Sequence, residues 1–222
     1  TRAQDTGLWL DLCAGPGGKA ALLAAMAHER GSRMVANELH PHRAELVRGT
    51  LNPGDLPDGA APQAEVTVGD GADLAAERPD AFDRVLVDDP CSGLGALRRR
   101  PEARWRRQPA DLASLAPTQR SLLHAALDAV RPGGVVAYVT CSPHPAETSV
   151  VVDDVRARRD DVELLEVAPV LREVAPATAA ADLEPVEAAR GARATSVQLW
   201  PHVHGTDAMY IALLRRTPQE DA

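Results

Sequence analysis

An apolar run, Leu8-Trp9-Leu10-Asp11-Leu12, passes without a break into Cys13-Ala14-Gly15-Pro16-Gly17-Gly18-Lys19 and then into a helical pattern. A strand that ends in a glycine loop and restarts as a helix opens a crossover unit. Such units build parallel sheets that bind ligands at the carboxyl ends of their strands. Glycine lets backbone approach a ligand with no Cβ in the way, and the start of the helix offers unpaired N–H groups and a positive dipole end to a carboxylate or phosphate. A nucleotide-like cofactor is implied. The loop lacks the third glycine of Gly-x-Gly-x-x-Gly, which disfavours a nicotinamide dinucleotide. On its own, a glycine turn of this kind is more often structural than functional.

The rest of the chain continues the alternation. Strands are predicted at Leu8 to Leu12, Arg33 to Asn37, Glu65 to Val68, Phe82 to Val87 and Val135 to Thr140, with helices near Lys19 to His28, Pro41 to Leu51 and Ser121 to Val130. The last helix carries Leu122, Leu123, Ala126, Leu127 and Val130 on one stripe, and Arg131-Pro132-Gly133-Gly134 is expected to stop it. Asn52 through Pro62 reads as a turn-rich loop and Ala175 to Gly191 as a mobile insertion. Ser196 to Trp200 and Met209 to Leu214 read as two further strands that close one sheet edge as a hairpin.

Composition sets the outer limits. A length of 222 residues suits one α/β domain. No apolar run approaches the roughly 20 residues needed to cross a bilayer, and no export signal opens the chain, so a cytoplasmic location is expected. Aromatic residues make up only 3%, so the core must be built from Leu, Val and Ala. A net charge of -8 argues against a chain-wide nucleic-acid coat and confines any such role to a local patch. Three widely spaced cysteines, Cys13, Cys91 and Cys141, suggest neither a disulfide framework nor a metal site.

Two acidic residues stand at strand ends beside the loop. Glu38 follows the second strand, where a carboxylate can accept ribose hydroxyls, and Asp70 follows the third. Singly each reads as a helix cap or a solvated loop residue. Together with the glycine loop they outline a ribose-and-base pocket that S-adenosylmethionine fits. The fourth strand runs on into Asp88-Asp89-Pro90-Cys91-Ser92-Gly93 and the fifth into Thr140-Cys141-Ser142-Pro143, so two thiols are expected to converge. Leu97 through Arg107 is the strongest basic run; Arg98, Arg99, Arg100 and Arg104 are candidates to grip phosphates, with Trp105 stacking on a base or packing underneath. An arginine run is as often a plain solvated face. A Cys141/His144 pair is disfavoured, and His202 and His204 are expected to serve a turn.

Taken in order, Asp11 to Lys19, Asp88 to Gly93, Thr140-Cys141-Ser142 and Leu199 to Asp207 resemble the successive motifs of the RNA cytosine-5 methyltransferases of the Sun/Fmu (RsmB) and Nop/Sun group, nearest to the bacterial 16S rRNA branch. The resemblance implies a class I (Rossmann-like) methyltransferase fold: a mostly parallel seven-stranded sheet with helices on both faces and an antiparallel edge hairpin. It implies S-adenosylmethionine as donor, S-adenosylhomocysteine as product, no metal, and an unpaired or flipped cytosine in ribosomal RNA as acceptor. By matching position, Cys13, Ala14, Gly15, Pro16, Gly17, Gly18 and Lys19 form the cofactor loop. Glu38 resembles the ribose ligand, Asp70 the residue at the adenine, and Asp88 the aspartate that faces cofactor and base. Cys141 matches the nucleophile and Cys91 the cysteine that assists release. Lys19 and Asp88 are expected to stabilise charge on the ring.

Two positions depart from the family pattern: Asp89 stands where Ala is usual, and Asp207-Ala208-Met209-Tyr210 replaces Asp-Gly-Phe-Phe. Asp89 is expected to raise a neighbouring thiol pKa if it points inward. Family members carry an RNA-binding region ahead of the glycine loop, so residues 1–222 are expected to be the catalytic domain, acting as a monomer. The competing readings are a DNA cytosine-5 enzyme, which the second cysteine disfavours, a small-molecule or protein methyltransferase, a tRNA enzyme, and a ribosome-assembly module without catalysis.

Overall fold

The computed structural model describes residues 7–52, 64–175 and 195–218. They fall into two compact units, one drawn from Thr1–Asp88 and Ala125–Val136, the other from Asp89–His124 and Ala137–Ala222.

The first unit is a run of crossover repeats. Strands β1 (Leu8–Asp11), β2 (Arg33–Glu38), β3 (Ala64–Val68) and β4 (Phe82–Asp88) alternate with helices α1 (Gly18–Glu29), α2 (Pro41–Leu51) and α3 (Gly71–Glu77). The strand order is β3-β2-β1-β4, and β1 pairs in parallel with β2 and β4 while β2 pairs in parallel with β3. Met34 through Glu38 are buried in succession, as a strand needs to be when both its faces are covered. On α1 the buried positions are Ala20, Ala24 and Ala27, one helical stripe of small side chains, and on α2 they are Ala44, Val47 and Leu51. Ala20 and Ala24 of α1 and Val47 and Leu51 of α2 meet Met34 and Ala36 in one cluster, built from Leu, Val, Met and Ala as the low aromatic content requires. The register that pairs Asp11 with Ala36 and Asn37 with Thr67 brings the strand ends level, which lines up the loops that follow them.

Strand β5 (Val130–Thr140) begins in the first unit and ends in the second. The second unit contains α4 (Ala103–Arg106), the first part of α5 (Pro109–Ala129), α6 (Ser149–Arg156), β6 (Val162–Leu165), α7 (Val167–Val174), β7 (Val197–Gln198), α8 (Pro201–His204) and β8 (Tyr210–Arg216). Strand β8 pairs antiparallel with both β6 and β7, as in Leu164 opposite Leu214 and Val197 opposite Ile211. Val167 and Ala168 of α7 pack with Val197, Ile211 and Leu213.

The α/β class and the parallel first half agree with the sequence reading; several details do not. Eight strands form among the described residues where seven were expected, and the order β5-β8-β6 puts β8 inside the sheet rather than at its edge. The missed strand, β6, has the short run Val162-Glu163-Leu164-Leu165 and is followed at once by a helix, so it leaves no alternation to detect. Helix α5 starts at Pro109 rather than Ser121, with Pro117 inside it. Prolines at 109 and 117 hid it, although a first-turn proline gives up an N–H that has no partner there anyway. The Arg131-Pro132-Gly133-Gly134 stop lies within β5, which therefore starts at Val130 instead of Val135. The loop expected at 52–62 lies outside the described residues beyond Asn52, and the insertion expected at 175–191 lies outside them beyond Ala175.

Candidate functional site

At the end of β1 the glycine loop is held by backbone contacts. Ala14 N–H donates to the Asn37 carbonyl at 2.8 Å, Gly17 N–H to the Ala14 carbonyl at 2.8 Å, and Arg43 Nη2 to the Gly15 carbonyl at 2.7 Å. Gly15 is required by close approach: a Cβ there would come within 2.1 Å of Glu38 Oε2. Gly17 takes φ 116, which an L side chain resists. Gly18 faces open space, and α1 starts there with no side-chain cap and no acidic residue in its first turn. Cys13 is half-buried, with its N–H donating to Asp11 Oδ1. Cys13 through Gly17, Pro16 included, thus connect β1 to α1, whose first two residues are Gly18 and Lys19.

Glu38 is only 3% exposed. Its Oε2 accepts Gly15 N–H at 3.1 Å and faces Arg43 Nη1 at 3.4 Å, and its Oε1 accepts His40 N–H at 2.9 Å. A carboxylate has about four lone-pair positions, so Oε1 retains capacity for one further donor. Asp70 caps α3, its Oδ1 accepting Ala72 N–H at 2.8 Å. Asn37 was missed by the sequence reading. Its Nδ2 donates to the Leu12 and Gly69 carbonyls and its Oδ1 accepts the Thr67 hydroxyl, which stitches three strand ends together.

Lys19 and Asp88 form an ion pair at 2.7 Å. Next to them Asp11, 1% exposed, has its pKa pushed up to about 7, first by burial and then by the Asp88 charge, with Glu38 adding and Lys19 opposing. Asp11 Oδ2 is buried with no hydrogen-bond partner among the described residues. Arg43 offsets Glu38 and Lys19 offsets Asp88, which leaves Asp11, with its orphaned Oδ2, as the carboxyl group at these strand ends without an ion-pair partner among the described residues.

In the second unit the Cys91 and Cys141 sulfurs lie 3.3 Å apart, each side chain half-buried. The Cys91 thiol is driven well above the ordinary thiol range, first by its hydrogen bond to Cys141 and then by burial. Two sulfurs this close resist carrying two charges, so Cys91 keeps its proton at neutral pH.

The loops that carry these thiols meet at Glu147, which is fully buried. Glu147 Oε1 accepts Ser92 N–H at 2.7 Å and Gln119 Nε2 at 3.4 Å, and Oε2 accepts the Ser92 and Ser142 hydroxyls at 2.6 and 2.5 Å. Tyr138 Oη donates to the Glu147 carbonyl at 2.9 Å and lies 3.1 Å from Asp89 Oδ2. The buried Asp89 carboxylate is thus engaged by Tyr138, whose own pKa is raised well above normal, by burial first and by Asp89 next. Gly95 brings backbone to backbone: its N–H donates to the Cys141 carbonyl, and a Cβ would lie 2.1 Å from the Ala208 carbonyl oxygen and 2.7 Å from that of Cys141. Sequence reasoning passed over Glu147, Gln119 and Gly95. The only available signal was an acidic residue inside a turn with no basic partner nearby.

The arginine run divides. Arg98 Nε donates to Asp207 Oδ1 at 2.9 Å and Arg99 donates to both Asp207 oxygens, holding the Asp207 pKa below its ordinary value, with Arg99 the larger cause. Arg100 precedes α4, and Arg104 and Trp105 lie on it, with Trp105 80% exposed, so the tryptophan does not pack underneath. His144 Nδ1 accepts Ala146 N–H and His204 Nδ1 accepts Trp200 N–H, the structural turn roles. Among the described residues no group of three His, Cys, Asp or Glu side chains could hold a metal ion, and no helix is long and apolar enough to cross a membrane.

A family model described as 16S rRNA methyltransferase RsmB/F matches residues 2–215. A Mycobacterium tuberculosis protein described no further than as a methyltransferase is 53% identical over 212 residues, covering 96% of this chain and 41% of that protein. The ribosomal RNA small subunit methyltransferase B of Erwinia tasmaniensis is 32% identical over 206 residues, covering 92% of this chain and 41% of its own length. The chain thus spans about two fifths of these relatives. Among solved structures, NSun6 from Pyrococcus horikoshii with SFG superposes with a TM-score of 0.72 at 21% identity, covering 96% of this chain and 48% of that one. A methyltransferase homologue from the same organism gives 0.68 at 25% identity, covering 95% of this chain and 61% of that one. These likenesses identify the fold as the Rossmann-like methyltransferase class.

Proposed function

The chain belongs to the 16S rRNA methyltransferase RsmB/F family, and from that premise we propose that it transfers a methyl group from S-adenosylmethionine to carbon 5 of a cytosine in 16S ribosomal RNA. The observation that carries this reading is the 3.3 Å approach of two sulfurs from separate loops. A methyltransferase acting on an already nucleophilic oxygen or nitrogen has no use for such a pair. Cytosine carbon 5 is a poor nucleophile and needs covalent activation at carbon 6.

The glycine-loop unit suits the donor. Open space over Gly18 and the uncapped start of α1 offer N–H groups to its carboxylate. Oε1 of Glu38 can take a ribose hydroxyl, Asp70 can meet the base, and Asp11 and Asp88 can accept from a ligand carrying an ammonium and a sulfonium. When bound, S-adenosylmethionine supplies an electrophilic methyl and departs as S-adenosylhomocysteine.

On the acceptor, Cys141 adds as thiolate to carbon 6 while Asp88 and Lys19 stabilise charge at the ring nitrogen and amino group. Carbon 5 then takes the methyl. The carbon 5 proton must next leave and the sulfur–carbon 6 bond must break, returning the electron pair to Cys141. Cys91 suits this last step. Its hydrogen bond to Cys141 and its burial hold it protonated at rest; with Cys141 committed as a thioether the like-charge cost is gone, and Cys91, once it has released its own proton to water, can accept the carbon 5 proton directly or through a water. Arg100, Arg104 and the exposed Trp105 present charge and a stacking face to RNA, and Arg98 and Arg99 edge that surface while bound to Asp207.

The test is incubation of the full-length protein with labelled donor and unmodified 16S rRNA, with nucleoside analysis for 5-methylcytosine. Cys141→Ala is expected to abolish product and covalent RNA capture while donor binding persists. Cys91→Ala is expected to accumulate an RNA–protein adduct on denaturing gels. An adduct that needs Cys91 and survives without Cys141 would reverse the roles, and label on another atom or base would overturn the reading.

A further inference from the structure

Resting on the reading above, we propose that Glu147 is a positioning residue: its one buried carboxylate clamps the loop after Cys91 to the loop after Cys141 and thereby sets the distance between the two sulfurs. A fully buried carboxylate is costly, and among the described residues no Lys, Arg or His is ion-paired with Glu147. Its oxygens are met by hydrogen bonds alone, and their origins are specific. Ser92 supplies its N–H and its hydroxyl, and Ser142 supplies its hydroxyl; each serine is the residue directly after a cysteine. Gln119, which reaches Oε1, also donates to the carbonyl of Pro90, the residue directly before Cys91.

Both serine hydroxyls are themselves oriented, because Leu94 N–H donates to Ser92 Oγ and His144 N–H to Ser142 Oγ. Each hydroxyl therefore accepts from its own loop and points its proton at the shared carboxylate. Glu147 is fixed in turn by Tyr138, which donates to its carbonyl. The contact of Gly95 with the Cys141 carbonyl joins the same loops at backbone level, but the serines are the positions adjacent to the sulfur-bearing residues. Two thiols that must address carbon 6 and carbon 5 of one ring need this separation held, because a misplacement of about 1 Å can cost on the order of 100-fold in rate.

The test reads sulfur separation without RNA. Phenylarsine oxide condenses with two neighbouring thiols to form one dithioarsenite with loss of water, and peptide mapping identifies the Cys91–Cys141 bridge. Single-turnover methylation is measured in parallel, with donor binding and thermal melting as controls. Wild type is expected to bridge rapidly. Glu147→Gln is expected to stay close to it, since the amide oxygen can keep the Ser92 N–H while the amide N–H groups donate to the turned hydroxyls. Glu147→Ala is expected to slow bridging by about tenfold or more and the methyl-transfer rate by about 100-fold, with donor affinity and the RNA KM unchanged.

Wild-type bridging in Glu147→Ala would overturn the proposal whatever happens to methylation. If Glu147→Ala does not fold, Ser142→Ala carries the test: slowed bridging supports the clamp and unchanged bridging overturns it. Fast bridging in wild type and slow bridging in the variant, with no methylation of any RNA by either, would sustain the clamp and reject the proposed function.

Discussion

Around the glycine loop the decisive contacts run through backbone: Gly15 N–H to Glu38, Ala14 N–H to Asn37, Arg43 to the Gly15 carbonyl. Around the thiols they run through side chains, with Ser92, Ser142 and Gln119 converging on Glu147. A site made of backbone depends on where side chains are missing, and so on glycine. A site made of side chains depends on residues far apart in the chain, and so on the fold that assembles them. The first kind fails when something is added and the second when something is removed.

The sharpest way to break this contrast is to add one methyl to each region. Gly15→Ala places a Cβ on the buried Glu38 carboxylate, and Gly95→Ala places one on the backbone of Cys141 and Ala208. Gly15→Ala is expected to weaken donor binding by about 100-fold or more, equivalent to about 2.7 kcal/mol, and to leave arsenical bridging of the thiols intact. Gly95→Ala is expected to abolish bridging while calorimetry still records donor binding. Loss of both functions in either variant would show that the two regions are not separable.

A smaller effect follows from pH. The folded-state pKa of Asp11 is raised from 3.8 to about 7, so the folded state holds a proton that the unfolded state releases. The stability this contributes is complete below pH about 4 and is lost as pH rises to about 7, on the order of a few kcal/mol. Urea denaturation between pH 4 and 8 should therefore show a decline that Asp11→Asn flattens; a decline of equal size in the variant would count against it. Asp207 and Asp161, held below the ordinary carboxylate range by arginines, act in a different window. Their stabilisation is present above the ordinary carboxylate pKa and is lost as pH falls through their lowered values.

The smallest expected effect distinguishes arginines within one run. Arg104→Ala should reduce the slope of log affinity for RNA against log salt by about 1, the loss of one phosphate contact. Arg99→Ala should change that slope less, because its guanidinium is already committed to Asp207, and should instead lower stability near neutral pH, a loss that disappears in acid. Equal slopes for the two variants would contradict the division.

How far the sequence could be read follows the same contrast. The glycine loop, Glu38, Asp70 and the parallel strands are written locally, as a contiguous motif or a short apolar run, and the fold places the loop, Lys19 and Asp88 at neighbouring strand ends. The two cysteines were legible because each ends a strand motif. Glu147 and Gln119 were not, since their importance lies in contacts 55 and 28 residues away, and neither residue type signals such a role. Asn37 was hidden because an amide at the end of a strand looks like ordinary loop chemistry. Strand β6 was lost to its brevity and the part of α5 before Ser121 to two prolines.

The account turns on two thiols serving a single cytosine, and mapping of a trapped adduct tests that most directly. A 16S rRNA fragment carrying 5-fluorocytosine at the accepting position, incubated with full-length protein and donor, should yield a stable complex whose digested peptide carries the nucleotide on Cys141. That complex should be absent in Cys141→Ala. Attachment at Cys91, or no complex despite donor binding, would contradict it.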